Sequence, residues 1–235
     1  VQRAKRQQQT MSLRYDPTRA KNDRKRRIEK ARQIIENSSS IHDGDFVDRY
    51  LRGRKLRPHG SLWPSSLRKA QLWHPQTRKT HPAMVGIVTD VQNMAIAVHR
   101  TYLTEDGRKA EVEPVKMSLG PVGGGAIRLG VDSDTIIVAE GIESALGAAM
   151  VYNVVPWATL SAGNMEVLQI PKSVKQVIIA PDNDRSSNPR KNEVGYKAAL
   201  KLRNRIKAVQ KEQDRIIHVR VVYPPRGRTD FADFG

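Results

Sequence analysis

The sequence has no cysteine, which excludes disulfides and any zinc site built on thiolates and fits a cytoplasmic setting. Its six histidines do not replace those thiolates, since none form the His-x3–5-His spacing of a zinc-binding pair. Aromatic residues are scarce, at three Trp, six Tyr and three Phe. No stretch reaches the roughly 18 apolar residues that a membrane-spanning helix needs, and no secretory signal opens the chain. The first residue is Val1 rather than Met, as expected of a fragment of something longer or of a processed product. Acidic residues are also in short supply: 24 Asp plus Glu against 41 Lys plus Arg leave a formal charge of +17. An excess of that size favours a polyanionic partner through counterion release. With no membrane span to use it, the charge points to nucleic acid, held through its phosphate backbone more than by stacking on rings. A length of 235 residues allows one large domain or two small ones, with enough chain to bury a core.

The basic excess is concentrated at the start. The first 32 residues hold 12 Lys or Arg and 3 acids, ending in Arg24-Lys25-Arg26-Arg27. Ile28, Ala31, Ile34 and Ile35 recur at helical spacing, which predicts an amphipathic helix from Asn22 to Ile35 with Asn22 or Asp23 near its cap. Residues 1–40 therefore read as a basic, partly flexible helical segment. Asp45 to Leu51 predicts a short helix, and residues 53–66 a loop carrying Pro58, Gly60 and Pro64. From Ala83 the period changes. Met84 to Val88, Ala95 to Val98 and Arg100 to Leu103 predict antiparallel strands turned at Gln92-Asn93 and Glu105-Asp106-Gly107. Gly123-Gly124-Gly125 lacks the Gly-Lys-Ser/Thr ending of a P-loop and reads as a flexible turn before a short strand, Ala126 to Leu129. Residues 41–130 thus form a basic α+β subdomain.

Beyond Gly130 strands and helices alternate. Strands are predicted at Ile136–Ala139, Val154–Leu160, Val174–Ala180 and Ile216–Tyr223. Helices are predicted at Ile142–Tyr152, from Met165, and over Asn192–Val209, where Val194, Ala198, Leu202, Ile206 and Val209 form the apolar stripe. That rhythm implies an α/β fold over residues 131–235, with a parallel-rich sheet flanked by helices. In such sheets ligands bind outside the carboxyl ends of the strands. Four polar features fall there: Glu140-Gly141, Ser161-Ala162-Gly163-Asn164, Asp182-Asn183-Asp184 and Thr229-Asp230-Phe231. Asp182 and Asp184 are two apart, so on extended backbone both carboxylates face one way. Glu140 on a neighbouring strand end completes an oxygen cage. Hard carboxylate ligands without Cys or clustered His select Mg2+ or Mn2+.

Val138-Ala139-Glu140-Gly141-Ile142-Glu143-Ser144-Ala145, Leu160-Ser161-Ala162-Gly163 and Ile179-Ala180-Pro181-Asp182-Asn183-Asp184 resemble the Toprim fold of bacterial primases, type IA and II topoisomerases, OLD-type nucleases and RecR-like proteins. The resemblance is closest to Toprim DNA primases of phages, plasmids and other mobile elements, and it extends upstream. Arg49-Tyr50-Leu51-Arg52-Gly53-Arg54, Leu72-Trp73-His74-Pro75, His99-Arg100-Thr101-Tyr102-Leu103 and Lys116-Met117-Ser118-Leu119-Gly120 look like the N-terminal half of the same catalytic core. The resemblance implies a DNA-directed nucleotidyltransferase that makes RNA primers on single-stranded DNA from ribonucleoside triphosphates, alongside a replicative helicase, fused or separate. It implies catalysis by Glu140, Asp182 and Asp184, with Asp230 joining those three around Mg2+ or Mn2+. Lys116, Arg128, Arg100 and Arg185 are the expected contacts to nucleotide or nucleic acid. Cellular primases carry an acid four residues after the first Glu, where this chain has Ser144, and compensation falls to Glu143 or Asp230. Their zinc module has no counterpart in a cysteine-free sequence, so template-site selection is expected in another segment or a partner. A non-catalytic RecR-like binding module is the rival reading, and a Toprim nuclease a third.

Two further expectations concern residues away from that edge. His74 and His99 read as packed or hydrogen-bonded rather than ligating. Trp63, Trp73 and Trp157 read as core aromatics.

Overall fold

A computed structural model of the protein describes residues 16–58, 60–182, 194–213, 215–224 and 231–234. Helix α1 (Pro17–Glu36) starts five residues before the expected Asn22. Asp16 caps it, its carboxylate accepting from the backbone N–H of Thr18 at 2.9 Å and of Arg19 at 3.2 Å. Pro17 suits the first helical position because its missing N–H would have no partner there. Every residue from Pro17 to Arg27 is exposed. Further on, Ala31, Ile34 and Ile35 pack on Val85, Val98 and Leu119. Lys21, Arg24 and Lys25 continue the stripe formed by Ile28, Ala31 and Ile35, at i+3 and i+4 spacing. The helix face is therefore apolar where it crosses the sheet and basic where it stands clear.

That sheet is antiparallel throughout, in the order β1 (Ser39–Ser40), β2 (Leu67–His74), β3 (Lys79–Thr89), β4 (Ala95–Tyr102), β5 (Lys116–Leu119). Three expectations shift here. Strand β2 was not expected, β3 starts at Lys79 rather than Met84, and the two segments expected over residues 95–103 are one strand. On the face opposite α1 lies helix α2 (Phe46–Gly53), capped by Asp45, which accepts from Val47 N at 2.9 Å and Asp48 N at 3.0 Å. Val47, Tyr50 and Leu51 of α2 join Met84, Val88 and Ala97 in a core that continues into the second sheet.

The second sheet has the order β10 (His218–Val221), β9 (Gln176–Ala180), β7 (Thr135–Ala139), β8 (Val155–Ala158), β6 (Ile127–Arg128). The first four strands are parallel, and β6 is antiparallel to β8. Helices α4 (Ala162–Val167) and α5 (Val194–Gln213) cover one face. Helix α3 (Ile142–Tyr152) and a 3-10 turn (Phe231–Phe234) cover the other. The period of two explains how one short strand serves both layers. Ile136 and Val138 meet Met165, Ala198, Leu202 and Ile206, whereas Ile137 and Ala139 meet Ile142, Ala145, Leu146 and Phe231. A strand buried on both faces must be apolar at every position, and each such side chain contributes about 1.5–3 kcal/mol. Helix α3 matches its expected bounds and ends at Asn153 in the left-handed conformation (φ 51°, ψ 49°). The small residues of α3 have a packing reason: a Cβ on Gly147 would run into the Phe231 carbonyl.

The fold is thus α/β, a parallel-rich sheet flanked by helices and preceded by an α+β region. Among the described residues no helix is long and apolar enough to cross a membrane.

Candidate active site

The carboxyl ends of β7 and β9 lie side by side, because Ala139 pairs with Ala180 in parallel register. Glu140 follows the first strand immediately, and Asp182 follows the second after Pro181. The Glu140 backbone is held by β8, with Leu160 N–H donating to the Glu140 carbonyl at 2.7 Å and Thr159 N–H to the Ala139 carbonyl at 2.9 Å. Leu160 makes that bond from the left-handed region (φ 72°). A non-glycine residue there costs about 1–3 kcal/mol and marks a backbone held in place by its surroundings. The Glu140 side chain extends toward the first turn of α5. A Cβ built on Gly195 would lie 2.7 Å from Glu140 Oε1 and 3.0 Å from the Asp182 carbonyl oxygen. The glycine thus lets the helix sit directly against both acidic residues.

Of the expected metal-binding acids, Glu140 and Asp182 are brought together at this edge, while Asp184 and Asp230 lie outside the described residues. Among the described residues no group of three or more His, Asp or Glu gathers in a form able to hold a metal. The two carboxylates that are described are hard oxygen donors, which suit Mg2+ or Mn2+. Arg185 is likewise outside the described residues.

Glu143, expected with Asp230 to compensate for Ser144, is engaged by other side chains. It is buried and turned to the antiparallel sheet, where Tyr50 Oη–H donates to its Oε1 at 2.7 Å and Lys116 Nζ donates to both carboxylate oxygens at 3.1 Å. Burial pushes the Glu143 pKa up, but the Lys116 charge and the Tyr50 hydroxyl outweigh it and hold the group at about 2. Lys116, expected to contact nucleotide, is thereby engaged in an ion pair that ties β5 to the first turn of α3. His99 sits next to this pair, its Nδ1 sharing a hydrogen bond with Ser118 Oγ at 2.9 Å. Burial, with the Lys116 charge, lowers the His99 pKa to about 4, so this imidazole is neutral at pH 7. No sequence pattern marked the pairing of Tyr50 with Glu143, because the two are 93 residues apart.

The other expected contacts have structural partners. The Arg128 guanidinium lies 4.5 Å over the Trp157 ring and donates to the Asp90 carbonyl at 2.7 Å. Arg100 Nη1 approaches Tyr102 Oη at 3.5 Å. The triglycine turn is pinned rather than loose. Asn164 accepts from Gly124 N–H at 2.8 Å and donates to the Gly125 and Thr159 carbonyls at 2.9 and 2.7 Å. His74 is buried and bonded to the Pro114 carbonyl at 3.1 Å, so both histidines are packed and hydrogen-bonded as expected. Trp157 is buried and Trp63 half-buried, donating to Asp48 Oδ1 at 2.7 Å. Trp73 is a correction: it is 56% exposed, on the same face of β2 as Leu67 and Lys69 but farther along the strand than the residues that meet α2.

Residues 135–235 match the family model described as a Toprim domain. Residues 25–129 match a domain of unknown function, DUF7146. No curated protein matches the chain. Among solved structures, a DNA primase domain from Pseudomonas aeruginosa is similar at 17% identity and a TM-score of 0.47, covering 88% of this chain and 73% of that one. The zinc-binding and RNA polymerase domains of the Aquifex aeolicus primase are 16% identical, with a TM-score of 0.48 and coverage of 89% and 55%. The primase fragment of the bacteriophage T7 primase-helicase protein is 14% identical, with a TM-score of 0.46 and coverage of 79% and 63%.

Proposed function

We propose that this Toprim-domain protein is the catalytic core of a DNA primase, joining ribonucleotides into short RNA primers on single-stranded DNA. The observation that carries the reading is the pairing of Glu140 with Asp182 at the ends of adjacent parallel strands, both set against Gly195. Two carboxylates at a sheet's carboxyl edge suit phosphoryl chemistry, which asks for charge control and alignment more than for a nucleophile. Bound Mg2+ or Mn2+ would neutralise triphosphate charge, with Glu140, Asp182, Asp184 and Asp230 as its holders. The primer 3′ oxygen attacks in line and pyrophosphate leaves. Glu140, the acid closest to the strand end, is the group we assign to managing the 3′ hydroxyl proton.

The template side of the reading rests on charge. The net +17 and the exposed first three turns of α1 suit a phosphate backbone. Under this reading residues 41–130 form the template-facing subdomain and residues 131–235 the Toprim domain. The protein works in the cytoplasm beside a helicase, fused or separate. Lys116, Arg128 and Arg100 act through the structure around the template path, and Arg185 contacts phosphate.

The test is a primer-synthesis assay on single-stranded DNA with labelled ribonucleotides and Mg2+ or Mn2+. Oligonucleotide products are expected. Binding without products would assign a RecR-like binding module instead, and shortened template would assign a nuclease.

A further inference from the structure

Three aromatic side chains are exposed among the described residues: Trp73, Tyr196 and Tyr223. Two of them are neighbours. The Tyr196 and Tyr223 rings have centroids 6.0 Å apart and planes inclined at 37°, and they are 45% and 43% exposed. Their position is set by the same elements that position the acids. Tyr196 follows Gly195, whose Cα faces Glu140 Oε1 and the Asp182 carbonyl. Tyr223 lies two residues past Val221 of β10, and Val221 pairs with Ile179 of β9. Val222 N–H extends that pairing to the Ile179 carbonyl at 2.8 Å. Tyr223 and Asp182 are therefore just beyond the carboxyl ends of neighbouring strands.

We propose that Tyr196 and Tyr223 form a stacking platform for a nucleobase beside the acidic edge. The proposal rests on the primase reading for its ligand, since the base must belong to a nucleotide whose phosphates approach Glu140 and Asp182. Two half-exposed rings next to a site for phosphate chemistry match the two halves of a nucleotide, one apolar and planar, the other anionic. A cation is at hand as well. Burial and the facing Tyr196 phenol push the Tyr223 pKa up, while the nearby Arg203 guanidinium opposes them. Tyrosine suits an exposed platform because its ring is broad and loses little conformational entropy when covered. If the pair only covered the seam between α5 and β10, any bulky apolar side chain would serve equally well. The proposal requires the flat ring.

The base can belong to the incoming nucleotide or to the single strand, and the two sources are separable. The full chain would be titrated with a ribonucleoside triphosphate in Mg2+. Separately it would be titrated with two single-stranded oligonucleotides of equal length, one base-bearing and one with abasic positions. Three pairs of substitutions are compared: Y196F/Y223F, Y196L/Y223L and Y196A/Y223A. The wild type and the Phe pair should bind the base-bearing ligand about tenfold or more tightly than the Leu and Ala pairs. Loss confined to the triphosphate assigns the incoming nucleotide, and loss confined to the base-bearing strand assigns the single strand. The Leu pair keeps apolar bulk, so it answers the question even if the Ala pair melts early. Equal affinities across wild type, Phe and Leu for both ligands would overturn the platform. No primer synthesis by a wild type that still prefers the base-bearing ligand would overturn the primase reading and leave the platform standing.

Discussion

Glu143, Lys116 and Tyr50 show how a side chain of catalytic type can instead join two parts of a fold. The Glu143 carboxylate is almost fully buried and takes three donors, two of them from Lys116. Lys116→Met leaves that carboxylate buried without its cation, held by the Tyr50 hydroxyl and a backbone N–H. It should destabilise the protein by about 2 kcal/mol, after discounting for the part of Lys116 that water reaches. Lys116→Met with Glu143→Gln removes both charges and should cost less than the two single changes added together, as measured by urea unfolding. Additive costs would show that the pair does not interact. Acid should weaken the same seam in two steps. His99 has a folded pKa of about 4 against an ordinary 6.5, so its stabilising effect is complete above pH 6.5. As pH falls from 6.5 to 4 the unfolded chain takes a proton that the folded one refuses, at a cost on the order of 3 kcal/mol. Glu143 adds a second loss as pH falls from the ordinary 4.5 toward about 2. His99→Gln should flatten the first window and leave the second, and an unchanged pH–stability curve in that variant would remove His99 from the account. The sequence placed Glu140 and Asp182 correctly because a strand end is a local property. The contacts of Glu143 with Tyr50 and Lys116 were not legible there, because they depend on which distant elements meet.

At the scale of elements, apolar pattern and length were informative and polar strands were not. Helix α3 and strands β7, β8 and β9 are buried on both faces, so their bounds were readable to within a few residues. Strand β2, Leu-Arg-Lys-Ala-Gln-Leu-Trp-His, alternates weakly and has charged residues on consecutive positions, so its pairing with β3 supplies what its pattern lacks. The first turn of α1 was missed for a related reason. It has nothing apolar to place on the sheet, and only the Asp16-Pro17 cap announces it. Helix α5 offers the sharpest test at this scale. Ala in place of Gly within a helix usually stabilises by up to about 1 kcal/mol. Gly195→Ala would instead put a methyl 2.7 Å from Glu140 Oε1 and 3.0 Å from the Asp182 carbonyl. The variant should fold with a near-normal melting temperature and lose about tenfold or more in synthesis, because small misplacements of positioned groups are costly. Gly123→Ala, where a Cβ meets nothing within 4 Å, is the control and should change neither. Full activity in Gly195→Ala would show that the approach of α5 to Glu140 is unimportant.

For the whole molecule, two sheets share one continuous core, with the basic excess weighted to residues 1–130 and the candidate catalytic acids Glu140 and Asp182 in residues 131–235. A chain with a net charge of +17 that neutralises about six phosphates of a single strand should bind with log K falling against log salt at a slope of about −4. Replacing Lys21, Arg24 and Lys25 with Gln, on the exposed stripe of α1, should make the slope shallower by about 2 while the melting temperature holds. An unchanged slope would take α1 out of the interface. The central claim concerns the acids, and it is tested most directly by Glu140→Gln and Asp182→Asn assayed in parallel for primer synthesis and for single-stranded DNA binding. Each change keeps the side chain's shape and removes one charge, so the fold should survive. The account predicts that both variants lose synthesis while their DNA affinity is retained or rises, since charge spent on the transition state is not spent on holding template. Synthesis at the wild-type rate in both variants would contradict it.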